Sequence, residues 1–191
     1  MIRYSNGKIF TKNSSNIKKP TQKPRSFSHG NRGMNLEEDI NISNDYYKMK
    51  GLCLITKRPT PINIVEVDYS HGATITNAYF EKQSTTDYNG VYQGKYIDFE
   101  AKSTQSKTSF PLANISKHQI EHLKNVLKQK GIAFFIIEFA KHDEFVIDYY
   151  ENGNRKSIPY SEFKVSANLI KKGLNPRLDY LPIIIEKYCK N

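Results

Sequence analysis

Two carboxylates and a lysine, Asp87, Glu100 and Lys102, lie in a stretch whose alternation decides which of them can meet. Ile97, Phe99 and Ala101 alternate with Asp98, Glu100 and Lys102, the two-residue period of a β-strand. Glu100 and Lys102 therefore share a face. A two-residue turn at Gln93-Gly94, where glycine supplies a positive φ, pairs Tyr92 with Lys95; continuing that ladder sets Asp87 opposite Glu100 and Thr85 opposite Lys102. Directly opposed residues sit about 5 Å apart at Cβ. Like charges so placed repel, and the arrangement makes sense with a cation between them. Mg²⁺ fits, because it takes oxygen ligands octahedrally and keeps positions for phosphate and water, with Mn²⁺ as a substitute. Lys102 beside it could orient a water or neutralise charge building on a phosphate. Two plainer readings stand beside this one. A turn at Asn89-Gly90, the stronger hairpin dipeptide, would separate Asp87 from Glu100, and the charged residues could simply be the solvated face of an antiparallel sheet.

A second constellation lies downstream. Ser116-Lys117-His118-Gln119 has the form of a capping box opening a helix that runs to about residue 129, with Ile120, Leu123, Val126 and Leu127 inward. Gln119 would there bond back to the Ser116 amide. The same helix carries His118, Glu121 and His122 in the H-x-x-E-H pattern, two histidines on one helix face that could bind Zn²⁺ with the glutamate as base. The match is five residues long and has no obvious third ligand.

The elements that must position these groups read as one α/β domain with additions. The chain has 191 residues, 38% of them hydrophobic and 25% charged, enough for one sizeable core. No apolar run is long enough to span a membrane, and Cys53 and Cys189 form neither a disulfide framework nor a paired metal motif. A reducing cytoplasm is the expected setting. The net charge of +10 is uneven: eight of the 29 Lys and Arg residues, Arg25 and Arg32 among them, and none of the 19 Asp and Glu precede Glu37. Residues 1–30 lack apolar periodicity and read as a basic, disordered arm suited to a polyanion, or as a solubilising tail.

Residues 34–50 read as a helix, with Leu36, Ile40 and Tyr47 on one stripe and Glu37 off it. Residues 52–57 read as a strand stopped by Pro59 and Pro61. Residues 62–69 and 73–80 form a β-hairpin across Ser70-His71-Gly72, and residues 103–109 a polar loop. The nearly continuous apolar run 132–139 marks a strand buried on both faces, with 144–150 its neighbour. Asn152-Gly153 marks a turn, and residues 161–172 and 181–188 read as short helices.

The wording Ser84-Thr85-Thr86-Asp87-Tyr88-Asn89-Gly90-Val91-Tyr92, followed by Tyr96-Ile97-Asp98-Phe99-Glu100-Ala101-Lys102, closely resembles the RecU family of Holliday-junction resolvases, within the PD-(D/E)xK nuclease superfamily. The resemblance covers about residues 31–180 and is densest over 60–119. It implies a restriction-endonuclease-like mixed β-sheet flanked by helices, spanning 31–191, with the 62–80 hairpin as a stalk that enters the open centre of a four-way junction. It implies further that Asp87 and Glu100 bind the metal, with Thr85 and Gln119 near it and Lys102 at the attacking water. Glu37, or its neighbour Glu38, would be a helix-borne acid near the metal. Arg25, Arg32, Lys57 and Arg58 would meet DNA phosphate, and Phe80 would stack on a base. For Gln119 the cap and the site role both stay open, and Arg177 and Asp179 match the family's C-terminal wording or form a structural ion pair. The implied partners are junction DNA, a second copy of the chain, a branch-migration motor and a strand-exchange recombinase, in a bacterial cytoplasm. The chain departs from the family at Ser70-His71-Gly72, a shorter connection without the usual arginine, and at Glu66, where a neutral or basic residue is more usual. Three functions thus enter the comparison with the structure: a metal-dependent junction endonuclease, a nuclease-fold junction-binding protein without cleavage, and a zinc peptidase.

Overall fold

A computed structural model describes residues 32–81, 85–148, 155–166 and 168–189. The basic arm, with Arg25, and the Asn152-Gly153 turn lie outside them. Helix α1 (Arg32–Met49) leads into β1 (Leu54–Lys57), the hairpin β2 (Ile62–Asp68) and β3 (Thr74–Phe80), and a second hairpin, β4 (Tyr88–Tyr92) and β5 (Lys95–Thr104). After the short β6 (Ser109–Pro111) come α2 (Lys117–Lys128), β7 (Ile132–Phe139) and β8 (Glu144–Asp148). The chain closes with β9 (Ser157–Pro159), α3 (Tyr160–Ser166), β10 (Asn168–Leu169), β11 (Lys171–Lys172), β12 (Leu178–Asp179) and α4 (Leu181–Tyr188).

A mixed six-stranded sheet in the order β1-β4-β5-β7-β8-β10 forms the middle layer. Only β5 and β7 run parallel, and α2 lies in the connection between them. The alternation of β7 divides its side chains between two cores, while β5 gives its apolar face to the first of them and its charged face to the site. Ile97 and Phe99 pack with Leu36, Ile40 and Tyr47 of α1 and Leu181 and Ile184 of α4. On the other side, Leu123 and Val126 of α2, Phe110 of β6 and Phe163 of α3 pack on Ala133, Phe135 and Ile137 of β7. All eight residues of β7 are buried, as expected for a central strand covered on both faces.

The β4–β5 turn falls at Gln93-Gly94, with φ +45° and +80°, the left-handed pair that matches the twist of the flanking strands. Asn89-Gly90 lies inside β4 instead. Gly90 serves close approach there: a Cβ on it would lie 2.2 Å from the Leu54 carbonyl oxygen and 2.7 Å from the Ile55 Cα of β1.

The β2–β3 hairpin is a separate two-stranded sheet with no buried residue, so the expected stalk is present. The expected helix over 161–172 is present only in its first half, as α3. It ends at Ser166, after which Asn168 and Leu169 pair with Ile147 and Val146 at the free edge of β8, and Lys171 and Lys172 pair with β12. Satisfying the edge of β8 and burying Ile170 in the α1-side core outweigh local helix propensity. The polar stretch 103–109 is also shorter as a loop, because β5 continues through Thr104 alongside β7 and Ser109 begins β6.

Replacing Gly90 by Ala is expected to cost about 1–3 kcal/mol, the usual range for overpacking. Urea denaturation should show it as a lower midpoint with an unchanged slope; an unchanged midpoint would mean that β1 gives way at no cost.

Candidate active site

The Gln93-Gly94 turn fixes the ladder as Tyr92 to Lys95 through Tyr88 to Phe99, and the next step brings Asp87 to Glu100. The two acids are tied through each other's backbone. The Asp87 amide donates to Glu100 Oε2 at 3.0 Å, and the Ala101 amide donates to Asp87 Oδ2 at 3.2 Å. Glu100 is only 2% exposed, and its Oε1 receives Gln119 Nε2 at 2.6 Å and Lys102 Nζ at 2.7 Å. These are not the carboxylates of a solvated face. Burial, then the charge of Asp87, push the Glu100 carboxyl up to about 7, and Lys102 offsets this only in part.

Gln119 forms the expected helix cap and also reaches Glu100. Its Oε1 accepts the Ser116 amide at 3.2 Å, closing the start of α2, while its Nε2 holds Glu100. The amide oxygen thus faces the helix cap and the amide nitrogen faces the acidic pair. Thr85 is half-buried just ahead of Asp87. Thr86 instead turns inward to hydrogen-bond Asp98.

Glu37 faces the sheet edge, with Oε2 2.5 Å from Lys57 Nζ and its carbonyl accepting the Tyr88 hydroxyl at 3.3 Å. Burial first, then the charges of Glu37 and Asp87, raise the Tyr88 phenol. Glu38 is exposed, whereas Glu37 is held by Lys57 at the end of β1. The Lys57–Glu37 pair is itself solvent-exposed and adds little stability. Phe80 stands 77% exposed at the stalk base opposite Ile62, unlike a core aromatic. Arg177 reaches Asp39 at 3.2 Å and Asp179 accepts the Tyr47 hydroxyl at 3.1 Å, so both tie the C-terminal segment to α1. The side chain of Arg32 lies outside the described residues.

Arg58 is placed otherwise than expected. Its guanidinium points inward to the fully buried Asp98 at 2.6 Å, and that carboxylate also meets His122 Nε2 and the Tyr96 hydroxyl, each at 2.9 Å. The sequence places Asp98 on the site face by alternation with Tyr96 beside it, but the other partners come from afar: Arg58 just after β1, His122 of α2 and Thr86 ahead of β4. This network also bears on the zinc reading. His122 engages Asp98 while His118 meets Ser116 Oγ at 3.2 Å, so the two histidines serve different neighbours. Among the described residues, no three His, Cys, Asp or Glu side chains are grouped to hold a metal by themselves. The donor set at Asp87 and Glu100 suits a hard cation that takes one or two carboxylates and completes its shell with water and phosphate.

A family model, Recombination protein U, matches residues 31–186. The chain belongs to the RecU family. It is 46% identical over 199 residues to the Holliday junction resolvase RecU of Bacillus mycoides (strain KBAB4), covering 98% of each chain. It is likewise 46% identical over 195 residues to the Holliday junction resolvase RecU of Bacillus cereus (strain B4264), covering 96% of each. Among solved structures it is similar to Archaeoglobus fulgidus Hjc, a Holliday junction resolvase from an archaeal hyperthermophile, with TM-score 0.43 and 12% identity over 70% of this chain and 93% of that one. The RecU model spans every site residue described above, from α1 to α4. No described helix is long and apolar enough to cross a membrane.

The raised Glu100 pKa sets a pH dependence. A carboxyl with a raised folded-state pKa contributes stability that is full below its ordinary 4.5 and lost as pH rises through about 7. In EDTA, the melting temperature of the wild type minus that of Glu100→Gln should therefore fall between those pH values. A flat difference would mean that Glu100 ionises freely in the fold.

Proposed function

We propose that this chain is a divalent-metal-dependent endonuclease that resolves four-way DNA junctions by paired symmetric nicks, in homologous recombination and DNA repair. The observation that carries the reading is the buried Glu100 carboxylate held against Asp87 with only partial compensation from Lys102, a site that a cation would relieve. Asp87 and Glu100 would hold Mg²⁺, or Mn²⁺ in its place, and Gln119 keeps Glu100 in position. The bound ion supplies Lewis-acid polarisation of the phosphodiester and of a water. Lys102, whose ammonium stands 2.7 Å from Glu100 with its side chain 22% exposed, is placed to orient the attacking water and to neutralise charge on the phosphate. Glu37 would serve as a further acid near the metal. The product would be a nick bearing a 5′ phosphate.

Cutting two strands at symmetric positions calls for two related sites, which a homodimer with two-fold symmetry supplies. The stalk would enter the open centre of the junction, with Phe80 at its base against a base of the DNA. Residues 1–30, with Arg25, form the basic arm and, together with Arg32 and Lys57, contact phosphate; residues 31–191 form the nuclease domain. A branch-migration motor and a strand-exchange recombinase are the protein partners that the family reading suggests, in the bacterial cytoplasm.

A synthetic four-way junction and a matched linear duplex, each with Mg²⁺ and with EDTA, test the reading. Paired nicks in the junction alone, absent in EDTA, are expected. Asp87→Asn should lower cutting by at least about 100-fold while junction binding persists; tight binding by the wild type without cutting would instead favour a junction-binding protein. Removing residues 1–30 should weaken binding and flatten its dependence on salt, since each lost phosphate contact removes released counterions. An unchanged slope would take the arm off the DNA.

A further inference from the structure

Asp87 lies one residue outside β4, so sheet pairing alone does not fix it. In front it is tied to Glu100 and Ala101. Behind it stands Arg58, one residue beyond β1. The Arg58 amide donates to the Asp87 carbonyl at 2.7 Å, and its guanidinium donates to Thr86 Oγ1 at 3.3 Å, to Asp98 Oδ2 at 2.6 Å and to the Tyr96 hydroxyl at 2.6 Å. Thr86 is 1% exposed and also donates to the other oxygen of Asp98, while His122 joins the same carboxylate from α2. One ion pair thus gathers β1, β5, α2 and the Thr86-Asp87 segment. The guanidinium is turned inward and the Arg58 side chain is only 19% exposed, so little of it is left for a phosphate.

We propose that Arg58 and Asp98 act as positioning residues: they brace the Thr86-Asp87 backbone so that the Asp87 carboxylate is aimed at the metal before any ion binds. The brace rests on the nuclease reading above and replaces the phosphate-contact role for Arg58. Its physical basis is preorganisation. A ligand held by a fixed outer partner binds an ion without first being ordered, and removing such partners costs about 10–100-fold in metal affinity. Arginine suits the task because its planar fork serves several acceptors at once, which a lysine ammonium does not do in the same geometry.

The test uses the full chain with Arg58→Met, Asp98→Asn and the double variant. Mn²⁺ binding is measured calorimetrically without DNA, junction binding in EDTA across a range of salt, and junction cutting against Mg²⁺ concentration. Each single variant should weaken Mn²⁺ binding and raise the Mg²⁺ midpoint of cutting about 10-fold or more, with junction affinity and its salt slope unchanged. The double variant leaves no unpaired charge of the Arg58–Asp98 pair in the fold, so it should recover thermal stability while its metal affinity stays low. Recovery of metal affinity along with stability would reduce the pair to packing and overturn the proposal. A salt slope smaller by about 1 for Arg58→Met, with metal binding intact, would return Arg58 to the phosphate backbone and overturn it as well. The wild type separates the two levels: if it neither binds Mn²⁺ nor cuts the junction, the nuclease reading fails and the brace with it. If it does both and the variants match it, only the brace fails.

Discussion

The structure depends on an unfavourable contact: two carboxylates, Asp87 and Glu100, brought side by side by the register of one hairpin. A one-residue slip would turn Glu100 and Lys102 to the opposite face and disperse the site. Several features pin the register. The left-handed Gln93-Gly94 turn sets it at one end, and the closeness of β1 at Gly90 admits no side chain there. The parallel pairing of β5 with β7 fixes the strand's height, with Glu100 beside Phe135. The apolar alternation of Ile97 and Phe99 against the α1-side core supplies the energy that holds the acids together, each buried aromatic or aliphatic side chain contributing about 1.5–3 kcal/mol.

Features set by local pattern were legible in the sequence, and features set by distant partners were not. Alternation and turn chemistry are local, so the Asp87–Glu100–Lys102 face followed from spacing once the turn was set at Gln93-Gly94. The apolar run of β7, the α2 capping residues and the stalk hairpin were legible for the same reason. What local pattern could not supply were partners distant in sequence. Arg58 reads as a basic strand end with a free charge, and only the fold shows Asp98, 40 residues on, receiving it. Gln119 seemed to face a choice between cap and site because sequence cannot show that one amide group reaches two neighbours at once. The helix expected over 161–172 stops at Ser166 because the deciding factor beyond it is the open edge of β8, which propensity does not register.

The stalk follows a different economy from the rest of the molecule. A two-stranded hairpin is at best marginally stable in water, and Ile64, Val65, Ile75 and Tyr79 on this one are about half exposed or more. The register shifts around Glu66 add local twist to β2. At the base, the Glu81 amide donates to the Pro61 carbonyl at 3.0 Å, closing the hairpin where it leaves the domain. Its apolar face and short Ser70-His71-Gly72 tip thus lie outside both cores of the domain.

Asp98 and Glu100 show how the environment, and not residue type, assigns function on one strand face. They are two residues apart, project the same way and are both almost wholly buried. Asp98 is surrounded by donors: Arg58, Thr86, Tyr96 and His122 converge on its two oxygens. It is a structural anion with no capacity to spare. Glu100 accepts from Lys102, the Gln119 side-chain amide and the Asp87 backbone amide while a second carboxylate presses on it, and burial followed by that second charge raises its pKa. A cation entering this face would gain little at Asp98 and much at Glu100. The same strand therefore carries, two residues apart, a carboxylate enclosed by donors and one pressed by a second carboxylate.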